Sequence, residues 1–140
     1  MLNIRYSKQT DYKTFKPSQP NIDEIRALTD LPLSLCMALS WNASMVRVTV
    51  ENGNEVICLF GVNSENELWL FFSEGLGEGL EHIPLSFYKI AKRFIGEQHL
   101  HGRVYINNEY AIKLVKFLGF ELDEPKPFGP KNELFMEFRR

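Results

Sequence analysis

Asn108-Glu109-Tyr110-Ala111-Ile112-Lys113-Leu114-Val115-Lys116-Phe117-Leu118-Gly119-Phe120 reads as a whole helix with its start and stop signals attached. Asparagine is among the residues that best accept a bond from a free N–H at a helix start. Ala111, Leu114, Val115 and Leu118 then recur at the spacing that lays one apolar stripe against a core. Gly119 can adopt the left-handed conformation that ends a helix, and Phe120-Glu121-Leu122 opens a strand directly behind it.

Upstream, Val104-Tyr105-Ile106 forms a strand leading into that helix. Before it, Phe87, Tyr88, Ala91, Phe94 and Ile95 make the apolar stripe of another helix, which begins near Pro84 and ends at Gly96 or just after. The glycine-rich stretch Ser73-Glu74-Gly75-Leu76-Gly77-Glu78-Gly79 separates it from three strands of an antiparallel meander. These are Met45–Val50, Glu55–Val62 and Glu67–Phe72, with Asn52-Gly53 as a two-residue hairpin turn. The strand, helix, strand order over 67–106 predicts a parallel crossover.

At the N-terminus, Leu2, Ile4 and Tyr6 alternate as a half-buried strand, and Thr10-Asp11 supplies a helix cap. After the breaker Lys16-Pro17-Ser18-Gln19-Pro20, Asn21 caps a second short helix through Ile22, Ile25 and Leu28. Residues 31–44 are apolar without a clear period, so they read as irregular or as a short helix lining something. Residues 124–130, with three prolines, cannot be regular, and Leu134-Phe135-Met136-Glu137-Phe138 closes the chain as a strand.

The 140 residues fit one domain, and 44% hydrophobic with 24% charged residues describes an ordinary globule. With 16 basic and 18 acidic residues there is no global field to draw nucleic acid or an anionic membrane, and no apolar run reaches the length of a bilayer span. Cys36 and Cys58 sit among apolar residues, as buried thiols in a reducing compartment do; with no secretory signal at the start, a cytoplasmic location is expected.

This order of elements resembles the GCN5-related N-acetyltransferase (GNAT) superfamily over nearly the whole chain. Asn108-x-x-Ala111-x-x-Leu114 followed by Gly119-Phe120 looks like that family's Asn-x-x-Ala-x-x-Leu-Tyr-x-x-x-Gly-Phe pattern, and Arg5 and Asp11 sit where its members often carry an arginine and an aspartate. The resemblance implies an α/β (α+β) fold with a mixed, mainly antiparallel sheet flanked by helices. It also implies that strands 67–72 and 104–106 splay apart around the pantetheine arm of acetyl-CoA. The implied cofactor-binding residues are Phe71, Phe72, Gly75, Gly77, Gly79 and Asn108, and the reaction is transfer of an acetyl group to a small-molecule or protein amine. Glu67, with Glu65 beside it, stands where some members keep a general base, and Tyr110 is a candidate acid together with Tyr88 and Tyr105.

Two features depart from the family. Glu74 and Glu78 flank the glycines where a neutral or basic residue would meet a diphosphate, and like charges repel. Val115 replaces the tyrosine that protonates the departing thiolate, and valine has no proton to give. The second half also resembles small internal virion proteins of short-tailed phages, a divergent GNAT-like branch. That likeness rests on Leu68–Phe72, on Lys89, Lys92 and Arg93, on Val104–Asn108 and on Ile112-Lys113-x-x-Lys116-x-Leu118-Gly119. It implies a phage-encoded protein acting on a phage or host partner, in the host cytoplasm or the virion.

His99 and His101 alternate on one strand face without a third ligand, which predicts no metal site. Trp41 follows the stretch that would cover the acceptor side. Phe135, Met136 and Phe138 can pair across a homodimer or, as the simpler expectation, pack within one chain.

Overall fold

The computed structural model describes residues 2–74, 85–96 and 98–140. Strands β1 (Leu2–Tyr6), β2 (Ser44–Asn52), β3 (Glu55–Asn63) and β4 (Leu68–Phe72) form one antiparallel sheet in that order. A second sheet sets β5 (His101–Tyr105) and β6 (Glu121–Leu122) on either side of β8 (Glu133–Arg139), with β7 (Lys126–Phe128) also on β8. Phe135 and Phe138 therefore serve the chain's own core, at 3% and 2% exposure. The short β7 corrects the expectation that residues 124–130 are irregular. It has β8 on one side only, and an edge strand tolerates proline.

The meander's hairpin closes through Gly53 and Asn54, with Asn52 already paired to Glu55, one residue later than the sequence suggests. Gly53 holds φ 64° while Asn54 does not enter the left-handed region. That combination matches the turn that needs glycine at its first central position.

Alternation along β4 divides the core. Leu68, Leu70 and Phe72 face one side, where α4 (Leu85–Ile95) and α5 (Glu109–Phe117) bring Tyr88, Ala91, Leu114 and Val115. Trp69 and Phe71 face the other, against Ile25 of α2 (Gln19–Leu28) and Met37 and Trp41 of α3 (Leu33–Ala43). The apolar 31–44 stretch is thus mostly helical. Its periodicity is weak because Leu35 and Leu39 stay exposed while Met37 and Trp41 are buried.

Helix α5 forms as its sequence signals demand. Asn108 Oδ1 accepts from the Ala111 N–H at 3.3 Å, and Gly119, at φ 87°, turns the chain so that Phe120 N–H reaches the Val115 carbonyl at 3.1 Å.

The short helix α1 (Gln9–Lys13) begins before Thr10, so Asp11 lies inside it, and its carboxylate bonds back to the Lys8 N–H at 2.7 Å. Arg5 forks onto Asp11 at 2.8 and 2.9 Å, and the Thr49 hydroxyl donates to it at 2.9 Å. Burial alone would raise this carboxyl, but the bonds from Arg5, Lys8 N–H and Thr49 hold it down at about 2, against 3.8 for the free group. A depressed carboxyl stabilises the fold above its unfolded value. Asp11 should therefore contribute roughly 2 kcal/mol at neutral pH, and acid titration should remove it between about pH 4 and pH 2. Asp11→Asn should flatten that part of a stability-versus-pH curve measured by urea unfolding.

Candidate functional site in the gap between β4 and β5

Strands β4 and β5 run parallel but share no ladder. They touch at one bridge between Glu67 and His101, where His101 N–H donates to the Asn66 carbonyl at 3.1 Å. The predicted crossover is parallel, and the pairing stops where it starts. Just beyond the bridge, Gly102 lets β5 come close: a Cβ there would stand 2.5 Å from Phe138 Cζ and 2.8 Å from the Leu68 carbonyl oxygen. From that pivot the strands diverge, and the opening holds a cavity of about 290 Å³.

Helix α2 crosses the opening and fastens to both strands. Asn21 is fully buried; its amide donates to the Leu70 carbonyl at 3.0 Å, and its oxygen accepts from the Phe72 N–H at 2.7 Å. It sits within the helix rather than at the cap position, which falls to Ser18. Ser18 N–H donates to the Phe72 carbonyl at 2.7 Å, and Glu74 N–H donates to the Lys16 carbonyl at 2.9 Å. The gap-side edge of β4 is therefore already bonded by residues 16–21.

On the other strand, Glu24 takes the Tyr105 N–H on one carboxylate oxygen at 2.7 Å and the Asn108 amide on the other at 2.9 Å. Asn108 thus caps α5 with its oxygen and holds Glu24 with its nitrogen. Burial pushes the Glu24 carboxyl up to about 7, against the pull of the bonds from Tyr105 and Asn108. In the sequence Asn21 reads only as a helix cap, and Glu24 carries no signal at all. Their partners lie 49 to 84 residues away, and an asparagine and a glutamate on a short amphipathic helix look like surface residues.

The sequence-predicted residues distribute unevenly. Glu67 lines the cavity at the bridge end, where its carboxylate accepts from the Asn63 amide at 3.1 Å. Phe71 also lines it, packed at 5.1 Å from Trp69. Phe72 points to the opposite core, 5.6 Å from the Tyr110 ring, although its backbone meets the gap. Tyr110 lines a different cavity, of about 390 Å³, with Pro17, Ile22 and Glu74, so the structure does not bring Tyr110 and Glu67 together. Gly75, Gly77 and Gly79, with Glu78 and Pro84, lie outside the described residues. Val115 is wholly buried in the α5 stripe.

Gly61 and Trp69 shape the wall between α3 and β4. A Cβ on Gly61 would fall 2.5 Å from the indole, whose Nε1–H donates to Ser44 Oγ at 2.6 Å. The histidines separate: His101 contacts the Glu65 carbonyl at 2.9 Å and His99 the Arg140 carbonyl at 3.2 Å. Among the described residues no helix is long and apolar enough to cross a membrane.

A mixed, mainly antiparallel sheet with parallel β4 and β5 splayed between helices defines a GNAT-type fold. Along 100% of its length the chain superposes on 96% of a GNAT-family acetyltransferase from Bacillus cereus, with a TM-score of 0.66 at 11% identity. The ribosomal-protein-S18-alanine N-acetyltransferase of Escherichia coli matches 99% of this chain over 94% of its own, with a TM-score of 0.55 and 14% identity. A Salmonella typhimurium protein whose structure includes its cofactor acetyl-CoA matches 99% over 91%, with a TM-score of 0.54 and 14% identity. No family model and no curated protein matches the sequence.

Proposed function

We propose that this chain is an acetyl-CoA-dependent N-acetyltransferase acting on an amine. The observation that carries the reading is the divergence of β4 and β5 from the Glu67–His101 bridge around a cavity of about 290 Å³. Such a gap offers a ligand apolar walls, Trp69 and Phe71 on one strand and Val104 on the other. Acetyl-CoA would supply the acyl group as a thioester. The amine nitrogen forms a C–N bond to the carbonyl carbon as the C–S bond breaks, and the surplus nitrogen proton leaves to the thiolate or to solvent. Val115 cannot donate that proton, so positioning carries most of the rate.

Titration calorimetry should detect acetyl-CoA binding, and mass spectrometry should then find an acetylated amine. Absence of any binding at millimolar acetyl-CoA would end this reading. A second one has a specific observation in its favour: residues 16–21 already bond the β4 edge. In that reading the fold is kept for partner binding, as in a phage virion or assembly protein, and the folded chain binds no acetyl-CoA.

A further inference from the structure

Two carboxylates line the cavity, Glu67 at the bridge end and Glu24 opposite β4, and Glu24 is the one held on both oxygens with, among the described residues, no cation beside it. Both Glu24 oxygens are fixed by one donor each, the Tyr105 N–H at 2.7 Å and the Asn108 amide at 2.9 Å. A carboxylate has about four acceptor positions, so each oxygen keeps room for another donor. Arg103 also lines the cavity, but its guanidinium lies 3.9 Å from the Phe128 ring centre and bonds Glu137 at 3.1 Å. The rest of the lining is mostly apolar, with aliphatic side chains and two aromatic pairs. Trp69 and Phe71 form one pair at 5.1 Å and Phe128 and Phe135 another at 5.8 Å, on opposite sides of the gap.

We propose that this cavity binds a small protonated amine with an apolar, ring-sized body, the ammonium received by Glu24 and the body seated between the two aromatic pairs. A cavity of about 290 Å³ admits a small ring-bearing amine. Aromatic faces favour a cation as well as an apolar body. Once the ammonium has passed a proton to Glu24 or to solvent, this amine is the acceptor of the reaction proposed above, so the assignment of substrate class rests on that reading, while the binding itself does not.

The site also sets a pH dependence. The empty Glu24 carboxyl titrates at about 7, and receiving an ammonium requires its charged form. Amine affinity should therefore fall about tenfold per pH unit below about pH 7 and level off above it. The other charged groups nearby are tied or turned away. Glu67 takes the Asn63 amide, Arg103 is held by Glu137, and Asp23 and Arg26 are on the exposed side of α2; the Tyr105 hydroxyl accepts from Asn107.

The test compares 2-phenylethylamine with 2-phenylethanol, which has the same size and no charge, by NMR titration of the full chain across pH. The amine should bind at least about tenfold more tightly at pH above about 7, with the slope just given, because a charge-assisted bond replaces a neutral one. Glu24→Gln keeps an acceptor for Tyr105 and should bind both ligands alike. Equal affinities in the parent chain, a flat pH profile, or no binding of either ligand would overturn the proposal, even if Glu24→Gln fails to fold. Glu24-dependent amine binding with no acetyl transfer leaves the site standing and removes the acetyltransferase reading. Transfer to 2-phenylethylamine that Glu24→Gln leaves unchanged does the reverse.

Discussion

Asn21→Leu should lower the unfolding free energy by about 4 kcal/mol, one of the two largest single-residue effects anticipated for this chain. The substitution keeps the volume and removes both ends of the amide, stranding the Leu70 carbonyl and the Phe72 N–H beside an apolar side chain. Each buried group left without a partner costs about 1–3 kcal/mol, and domains of this size hold only about 5–15 kcal/mol in all. Urea unfolding followed by circular dichroism should show the midpoint falling by more than about 1 M at unchanged slope. Asn21→Asp should land in between, since it keeps the acceptor for Phe72 and loses the donor to Leu70. A loss below about 1 kcal/mol for Asn21→Leu would mean that α2 does not dock on β4 through this side chain.

Gly102→Ala comes second, at about 3 kcal/mol. No left-handed backbone is involved; the cost is steric. One added carbon would stand 2.5 Å from Phe138 Cζ and 2.8 Å from the Leu68 carbonyl, so either a fully buried ring or the neighbouring strand must move. Gly53→Ala is the useful contrast. Nothing lies within 4 Å of its added carbon, and its φ of 64° alone should cost about 1–2 kcal/mol. A double-mutant cycle of Gly102→Ala with Phe138→Leu should recover part of the loss, because the shorter side chain vacates the contact. If Gly102→Ala costs no more than Gly53→Ala, the close approach of β5 to β4 at the pivot is wrong.

What could be read in advance follows the range of the physics involved. Helix α5 and the meander were legible because their signals are local: a cap three residues from its N–H, a stripe at helical spacing, a glycine at the β2–β3 turn and another at the α5 stop. Helix α3 was harder, since Leu35 and Leu39 on its exposed face blur the periodicity set by Met37 and Trp41. The Asn21 side chain misled for a related reason. Asparagine is a good cap, but here it was placed to satisfy a strand 49 residues away, so the helix began earlier at Ser18. The gap itself was expected from the resemblance to the GNAT superfamily. Its contents were not, because Glu24 means nothing until Tyr105 and Asn108 are folded against it.

The fastening of α2 across the gap also separates two kinds of backbone protection. In the meander, an amide exchanges with solvent only when strands part. Phe72 N–H and Tyr105 N–H instead shelter under side chains, those of Asn21 and Glu24, so each is released when one short helix lifts. Such partial openings carry a smaller free energy than global unfolding. These two amides, on different sheets, therefore act as paired clocks for the same event. Their deuterium uptake would tick together, faster than that of Val50 or Leu59, and would slow together when anything held α2 down.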